Sequence, residues 1–360
     1  MSFKKRSAFI SPEYLPAMSR KSLRFLIPIL SILSALVVSS LIIFMADRDP
    51  VMIFQKMFHA TLGSPYGTGQ VVFRMTTLVL VALAVALPFH VRLFNIGGEG
   101  QLQMGTFAAA MTGAMLPATL PSPAAITLCI MSAMAAGACW ALVAGVLKVR
   151  FSVNEVIATI MLNFIAQGIT GYLLTWYFAI PSTVHTPPIT DAATIPAVST
   201  VTGWFANSPA NLSTLLAIGV ALLCQVILFH SRFGYEMRAA GMQPDAARYG
   251  GINAEKHTLI AMGIGGAAAG LGAANIVLGY KHYYEAGMSG GIGFTGIAVA
   301  LLAGAHPLWI LLAALFFGVL EYGGLTVNAY IPKDIFMIIE ALTILLVISF
   351  SALGRGLQRE

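Results

Sequence analysis

Charged residues are scarce in this sequence of 360 residues: Asp, Glu, Lys and Arg make up 9% of it, whereas hydrophobic residues make up 58%. Soluble proteins contain about 25% charged and about 45–50% apolar residues, so the composition excludes a water-soluble enzyme. The few charges are bunched between long apolar runs, which is typical of membrane spans joined by short polar connections. The composition therefore predicts an all-α, polytopic membrane protein.

The sequence also lacks the residue patterns of metal, redox and hydrolytic sites. Its three cysteines, Cys129, Cys139 and Cys224, lie in apolar runs without CxxC spacing, which predicts small buried side chains rather than a disulfide or a metal site. The seven histidines form no HExxH motif, and no Ser, His and Asp arrangement indicates a triad. We therefore expect neither a metal nor a catalytic site.

A nucleotide-binding motif is missing as well. The chain contains no GxxxxGK[ST] motif, so ATP bound by this protein's complex must be bound, with its Mg²⁺, by another subunit. Gly291, Gly293 and Gly296 do spell GxGxxG, but no strand pattern precedes them and an apolar helix follows. The βαβ context of a dinucleotide site is therefore missing. We expect no cofactor in this chain and no ATPase activity of its own.

The apolar runs predict about ten transmembrane helices within a permease domain of residues 23–352. Two of the runs, 99–116 and 292–305, are short and contain glycines, as half-helices that enter the membrane without crossing it do. The predicted spans are 23–45, 71–90, 99–116, 124–147, 155–179, 211–229, 258–279, 292–305, 307–322 and 335–352.

The basic residues predict the orientation of these spans. Alternate threading from a cytoplasmic leader, residues 1–22, places 15 Lys and Arg residues inside and 5 outside, as the positive-inside rule requires. The leader is long for a secretory signal, so we expect an uncleaved anchor, a cytoplasmic N-terminus and a cytoplasmic tail at 353–360. The net charge of +6 then reports orientation in a bacterial inner membrane and not nucleic-acid binding.

Two further segments have a simple structural interpretation. Residues 180–210 contain five prolines and almost no charge, which excludes a regular helix and predicts a periplasmic loop or cap. Gly266 and Gly270 have GxxxG spacing, which lets the backbones of two helices approach closely in lipid.

The run LFNIGGEGQ, from Leu93, places polar residues and glycines between two apolar spans. A charge at the centre of a span costs about 2.5–3.5 kcal/mol on insertion scales, so Glu99 should face protein or a watery cavity. A break in the helix is the simplest explanation. Such a break can build a transport site, or it can be a structural glycine turn, and the sequence leaves both open.

A second polar cluster begins at Ser152, where SVNE fits a capping box before the apolar run 156–166. Initiation of a helix is the simple interpretation of this motif. Asn163 lies about two turns further on, and an amide in lipid needs a partner. That partner is either another helix or a polar solute, so Asn163 is a candidate for the pathway.

The longest polar interior segment, residues 230–257, carries seven charges. Within it, QPDAARYG from Gln243 predicts a short capped helix, with Pro at its first position, an acid in its first turn and Gly after its end. The small side chains of Ala246 and Ala247 favour docking into the groove of a partner protein over resting on a membrane, which would need a broader apolar face.

At this point four blocks resemble a family: the membrane subunits of ATP-binding-cassette (ABC) importers for nucleosides and simple sugars, which are related to ribose and branched-chain amino-acid permeases. The resemblance extends over about residues 50–348, and the FNIGGEGQ form looks most like the nucleoside branch. The blocks are LFNIGGEGQ from Leu93, VNEVIATIMLNFIA from Val153, RAAGMQPDAARYGGI from Arg238 and FTGIAVALLAG from Phe294.

The resemblance implies a type II ABC importer-like fold in a complex with a second, related permease, two cytoplasmic ATP-binding subunits and a lipoprotein or periplasmic substrate-binding protein. It also implies that residues 241–250 match the helix that couples to the ATPase. The expected coupling residues are Gly241, Pro244, Ala246, Ala247, Arg248 and Gly250. Residues of the matched blocks expected near the substrate pathway are Asn95, Glu99, Gln101, Asn154, Asn163 and Phe294.

One position departs from the family: Gln243 stands where an Asn often precedes the Pro, and we expect its amide to cap the helix still.

The resulting prediction is the permease subunit of a bacterial importer for nucleosides, with purines favoured. A permease for a simple sugar or another small neutral solute is the alternative. An ion-coupled secondary transporter is a further rival and would need a mid-span acid, for which Glu321 and Glu340 are the nearest candidates.

Overall fold

The computed structural model describes residues 20–332 and, near the C-terminus, residues 335–336, 338–339, 341–346 and 349. These residues are helical and contain no strand, only two isolated bridges. The α-helices are α1 Arg20–Met45, α2 Pro50–Thr61, α3 Pro65–Phe89, α4 Gly98–Met115, α5 Ser122–Phe151, α6 Glu155–Leu173, α7 Val198–Thr202, α8 Ser213–His230, α9 Arg232–Met242, α10 Pro244–Tyr249, α11 Ala254–Gly270, α12 Ile292–Leu302 and α13 Pro307–Thr326. Two of them run on as π-helices: α6 through Leu174–Phe178 and α11 through Ala274–Lys281.

Helix α3 forms the centre of the bundle. Its residues 76–88 are buried on every side, as expected for a helix that is apolar all round. Helices α11, α12 and α13 pack directly against it, so both polar segments of interest, before α4 and before α12, are built around the same central helix.

Small residues on α5 allow close packing against α11. The buried positions of α5 recur mostly every four residues and are all small: Ala125, Cys129, Ala133, Gly137, Ala141, Ala144 and Gly145. A β-carbon at Gly266 would overlap the carbonyl oxygen of Gly137, and one at Gly270 would overlap that of Ala133. The close approach predicted from the GxxxG spacing is therefore present.

Six helices among the described residues are long and apolar enough to span a membrane: Pro65–Phe89, Ser122–Phe151, Glu155–Phe178, Ser213–His230, Ala254–Lys281 and Pro307–Thr326. All six coincide with predicted spans, whereas the count of about ten stays a prediction. Helix α12 has 11 residues, which at 1.5 Å per residue is about 16 Å, roughly half of the hydrocarbon thickness. It therefore has the length of the half-helix that the sequence suggested.

The sequence analysis missed three helices outside the spans, α2, α7 and α9. The chain after Asp49 forms α2, capped by the Asp49 carboxylate, which accepts a hydrogen bond from the backbone N–H of Val51 at 2.9 Å. Ahead of the predicted short helix at 244–249 lies a second one, α9. The prolines of 180–210 do prevent a long helix, but the prediction that they exclude a regular helix was wrong, since the short α-helix α7 forms between Pro196 and Pro209.

The SVNE motif does not form the predicted capping box. Ser152 instead terminates α5 in the left-handed conformation (φ 54°), and Asn154 caps α6 by accepting hydrogen bonds from the N–H groups of Val156 and Ile157. Glu155 does not reach back to a cap residue but pairs with Lys148 at 2.8 Å. A similar correction applies to the cysteines, since Cys129 and Cys224 are buried but Cys139 is exposed on α5.

Helix ends group into two opposite ends of the bundle. At one of them, which we call the basic end, α3, α5 and α8 finish and α6, α11 and α13 start. The contacts of His90, just after α3, show this grouping. Its ring lies 3.1 Å from the carbonyl oxygen of Ala305, just before α13, and 5.8 Å from the ring of Phe229, near the end of α8. Helices α9 and α10 lie at this end. Residues 180–210 lie at the opposite end, where the N–H of Ile195 donates to the carbonyl oxygen of Leu278.

The leader up to residue 19 and the tail 353–360 lie outside the described residues.

Candidate functional site

Two side-chain amides, those of Asn95 and Gln101, stabilise the non-helical segment between α3 and α4. Asn95, which is fully buried, donates to Gln101 Oε1 at 3.1 Å and accepts from Gln101 Nε2 at 3.0 Å. Asn95 also donates to the carbonyl of Ala84 and accepts from the N–H of Gly97. This network satisfies backbone groups that the helix break would otherwise leave bare inside the protein, so both side chains are directed into the protein.

Asn163, on α6, binds the same non-helical segment. Its Oδ1 accepts from the N–H of Gly100 at 2.8 Å, and its Nδ2 donates to the carbonyl of Ile96 at 2.9 Å. The hydroxyl of Thr159, one turn earlier, accepts from the N–H of Ile96. The partner that the sequence required for the amide of Asn163 is therefore the broken segment itself.

Glu99 joins the start of α4 to the start of α12. One carboxylate oxygen accepts from the N–H of Gly291 at 3.0 Å, and the other accepts from the N–H of Gly293 at 2.7 Å. The first N–H groups of a helix have no partner within it and carry a partial positive charge, so they stabilise a carboxylate. A β-carbon at Gly293 would overlap the backbone of Glu99, which explains why a glycine fits there. The side chain faces protein, as predicted.

These contacts lie well inside the bundle. Asn163 is eight residues after the first residue of α6, and Val81, which packs against Gly98 and Gly296, is eight residues before the last residue of α3. At 1.5 Å per residue, both are about 12 Å from the basic end. The GxGxxG motif therefore begins a helix at membrane depth and holds a carboxylate of its own chain.

A cavity of about 210 Å³ opens beside this junction. Three of the predicted pathway residues line it: Glu99, Asn163 and Phe294. The remaining lining residues, which the sequence analysis missed, are Gln103, Phe164, Gln167, Gly287, Ser289, Gly290 and Gly291. Gln103 and Gln167 each lie one turn beyond a predicted residue of the same helix, so the four-residue spacing from Glu99 and from Asn163 was an available signal.

The polar groups of the cavity differ in how far they are satisfied. Glu99 and Asn163 are engaged as described, and Gln103 donates to the hydroxyl of Tyr284 at 3.2 Å. Gln167 is exposed and forms no side-chain hydrogen bond with any residue that the structure describes. Glu99 is the single ionisable residue of the lining, and two N–H groups offset its charge. The surface offered to a solute is therefore polar, aromatic and nearly neutral.

Asn154 does not line this cavity. It is exposed at the basic end, where its side chain caps α6. Asn95 and Gln101 are likewise outside the lining. Their expected roles in the pathway stay predictions, and the geometry gives all three a structural task.

The predicted coupling helix is present as α10, with Pro244 at its first turn, Asp245 in that turn and Arg248 near its end. Gln243 stands at the N-cap but forms no side-chain capping bond, so the capping expected of its amide was wrong. The extended backbone of Gln243 and the ring of Pro244 are sufficient to start this short helix.

Two of the expected coupling residues face inwards. Ala247 is 6% exposed, and Gly241 packs so closely on the end of α3 that a β-carbon would overlap the carbonyl oxygen of His90. Neither offers a side chain to a partner, because both pack within this chain. The exposed residues of α10 and its flanks are Met242, Gln243, Pro244, Asp245, Ala246, Arg248, Tyr249 and Gly250.

Tyr249 is the main feature that the sequence analysis overlooked at this surface. It is 95% exposed, and Met242, just before α10, is also exposed. Arg248 lies beside them and pairs with Glu255 at 3.3 Å and Asp245 at 3.7 Å. Large exposed side chains beside charged ones are typical of protein interfaces.

Helix α9, which precedes α10, contacts the bundle through the side chains of Glu236 and His257. Glu236 accepts from Arg232 at 2.9 Å and contacts the ring nitrogen of His257, on α11, at 3.2 Å. The hydrogen bond from Arg232 holds the pKa of the Glu236 carboxyl below its usual value. The carboxylate therefore stays ionised near neutral pH and connects α9 with the first turn of α11.

Comparison with known families decides what kind of protein this is. The model of a family described as "Branched-chain amino acid transport system / permease component" matches residues 67–348, more than half of the chain. The chain belongs to this permease family. The match includes the broken segment, the cavity and α10, so all the features described above lie within the family's domain.

Individual relatives of this permease cover nearly all of it. The guanosine ABC transporter permease protein NupP of Bacillus subtilis is 33% identical over 93% of this chain and 96% of its own. The nucleoside ABC transporter permease protein NupB of Lactococcus lactis is 31% identical over 90% of each chain. The glucose ABC transporter permease protein TsgB13 of Haloferax volcanii is 34% identical over 89% of this chain and 86% of its own. No solved structure matches.

Of the two acids proposed for an ion-coupled permease, the structure describes Glu321, which lies away from the cavity. Glu321 is near the end of α13, about four turns beyond its first residue, and is absent from the cavity lining. Glu340 lies outside the described residues. Membership of a family whose relatives are named ABC transporter permeases weighs against the ion-coupled rival.

Proposed function

We propose that this permease is the membrane subunit of a bacterial ABC importer that moves nucleosides, with purines favoured, across the inner membrane into the cell. The observation that carries the proposal is the cavity beside Glu99. Its lining presents two aromatic rings, amides and a hydroxyl, and its carboxylate is already satisfied by the chain. A nucleoside combines an aromatic base with a neutral, hydroxyl-rich sugar, and such a surface complements both. Relatives named for guanosine and for nucleosides support this choice.

The single chain supplies only part of such a site. Ligand pockets commonly measure about 300–1,000 Å³, and this cavity measures about 210 Å³. Phe164 and Gln167 form one of its walls and are both exposed. An exposed amide in a membrane span is unfavourable in lipid, so we propose that a second, related permease packs beside α6 and closes the cavity.

In this proposal, other subunits supply the energy for transport. Closure of two ATP-binding subunits would push on α10 through the exposed residues Met242 and Tyr249. Helix α9 and the pair Glu236–His257 would transmit the displacement to α11, which packs on the central α3. A periplasmic or lipoprotein binding protein would deliver the solute at the opposite end, near residues 180–210. The permease itself performs no bond chemistry.

Uptake of radiolabelled guanosine into right-side-out vesicles containing the complete complex tests this proposal. Vesicles loaded with ATP should accumulate guanosine, vanadate should abolish the accumulation, and a protonophore should leave it unchanged. Vesicles with the permease alone provide the control and should only equilibrate. Block by the protonophore with indifference to vanadate would overturn the ATP-driven mechanism.

A simple sugar is the second candidate, because a relative is named for glucose. The same vesicles with radiolabelled glucose and ribose separate the two candidates. Concentrative uptake of either sugar without uptake of guanosine would replace the nucleoside proposal by a sugar permease.

A further inference from the structure

We infer that Phe164 and Gln167 of α6, together with Phe294 of α12, form the subsite of the cavity that holds the nucleobase during translocation. This inference rests on the proposed function, because it assumes that a nucleoside enters the cavity. It goes further by assigning the base to the space between α6 and α12, where the two rings would select a base over a sugar and Gln167 would bond the edge of the base.

The two aromatic rings of the lining come from different helices, α6 and α12. Phe164 is 62% exposed on α6, and Phe294 is 45% exposed at the start of α12, and both line the same space. The chain therefore leaves a large part of each ring uncovered. Bases stack on aromatic side chains whatever their sequence identity, since every base has a π-face. A sugar alone has no such face, so these rings favour a nucleoside over a pentose.

Of the polar side chains with which α6 lines the cavity, that of Gln167 has hydrogen-bonding groups without a partner among the described residues. It follows Phe164 by three residues, so both side chains project from one face of α6. Glu99, Gln103 and Asn163 form hydrogen bonds within the protein, whereas the amide of Gln167 forms none with the described residues. An amide carries both donors and an acceptor, and this pattern complements the hydrogen-bonding edge of a base.

The neighbouring residues of α6 indicate that the amide of Gln167 faces the cavity and not the lipid. Ile165 and Ile169 are also exposed, but they are aliphatic and do not line the cavity. Only aromatic or polar side chains of α6 reach the lining: Asn163, Phe164 and Gln167. The helix therefore presents a polar and aromatic stripe to the cavity and an aliphatic one beside it.

Photolabelling of the purified, complete complex in lipid nanodiscs with radiolabelled 8-azidoguanosine tests the inference directly. No ATP is added, so the measurement does not depend on turnover. The label is expected within residues 155–178, around Phe164 and Gln167, or within residues 292–302, around Phe294, as located by mass spectrometry of the digested subunit. Excess guanosine should suppress it at least fivefold. Excess ribose should not suppress it. A label confined to other segments, or equal suppression by ribose, would overturn the assignment.

Matched variants connect the label with the two residues. Phe164→Ala and Gln167→Leu are each expected to reduce labelling at least fivefold, and Ile165→Ala, next in sequence but outside the cavity, should leave it unchanged. Assembly of each complex is checked by gel filtration. If wild-type vesicles accumulate guanosine but both cavity variants label like Ile165→Ala, the subsite is wrong and the proposed function stands. If wild-type vesicles accumulate no nucleoside, the proposed function itself fails.

Discussion

The carboxylate of Glu99 accepts a hydrogen bond from the N–H of Gly293 at 2.7 Å and thereby joins the first turns of α4 and α12. Both helices begin inside the bundle, and each has unpaired N–H groups at its start. The Glu99 carboxylate satisfies two N–H groups at the start of α12, and Asn163 satisfies the N–H of Gly100 at the start of α4. The two bonds to Glu99 make a charge tolerable at this depth. The same contact supports the wall of the cavity, so its integrity should affect both stability and transport.

Replacing Glu99 by Gln should weaken this junction. A Gln side chain offers one carbonyl acceptor, whereas Gly291 and Gly293 present two donors, so one N–H is left facing an amide NH₂ group. A hydrogen bond to a charged group contributes about 1.5–3 kcal/mol, and we expect a loss of that order in unfolding free energy, together with reduced guanosine uptake. Thermal unfolding of the purified permease in detergent measures the first. Asp191→Asn, which removes an exposed carboxylate outside the junction and the cavity, is the control and should leave the unfolding free energy unchanged. A Glu99→Gln variant as stable as wild type would contradict this role.

The amide pair of Asn95 and Gln101 should behave as one unit. Asn95→Ala leaves buried groups of Gln101, Ala84 and Gly97 without partners, which costs about 1–3 kcal/mol. Removing Gln101 as well should cost less than the sum of the single changes, because the two side chains satisfy each other. A double-mutant cycle on unfolding free energies measures this coupling. Strict additivity would show that the pair is not coupled.

The cap of α6 offers a paired test at the basic end. Asn154→Ala removes the acceptor for two backbone N–H groups and should destabilise the permease by about 1 kcal/mol. Ser152→Gly should instead stabilise it by about 0.5 kcal/mol, because glycine adopts the left-handed conformation without the penalty of a side chain. Both are measured by thermal unfolding. A large loss of stability in the Ser152 variant would restore the capping box that the sequence suggested.

The surface around α10 should depend on Tyr249 more than on its small residues. Tyr249→Ala is expected to reduce ATP-driven uptake at least tenfold and to leave unfolding unchanged, because the side chain is almost fully exposed and a large interface residue carries much of the binding energy. Tyr235→Ala, exposed on α9, is the matched control. Ala247→Trp should instead lower the stability of the permease itself, since Ala247 is buried. Normal uptake by the Tyr249 variant would contradict docking through this side chain.

Two exposed glycines test where the second permease packs. Gly168 on α6 and Gly219 on α8 both have open space around them, so a leucine fits either helix in the single chain and improves its helix propensity by a similar amount. Gly168→Leu should reduce co-purification of the second permease, because close packing between membrane helices needs small residues. Gly219→Leu should not. The opposite pattern would place the partner on α8.

Some features of the site could be predicted from the sequence and others could not. The helix break at 93–97 follows from glycine and polar residues between two apolar runs, and its prediction needed no partner in space. The role of Asn163 did need one: its amide was recognised as unsatisfied, but the acceptors and donors that it meets lie 63 and 67 residues away in the sequence. Gln167 did carry a signal, its four-residue spacing from Asn163 on the same helix, but that spacing does not show which segments this face of α6 meets.

The sequence by itself determined that this protein is a bundle of membrane helices, where most of those helices lie and that its chain breaks near Glu99, because hydropathy and backbone preferences are local properties. Only the tertiary structure decided that Glu99 binds the start of α12, that Ala247 is buried while Tyr249 is exposed, and that α6 supplies a cavity wall. These outcomes depend on which helices meet and on how each is rotated about its axis, and packing between segments distant in sequence sets both.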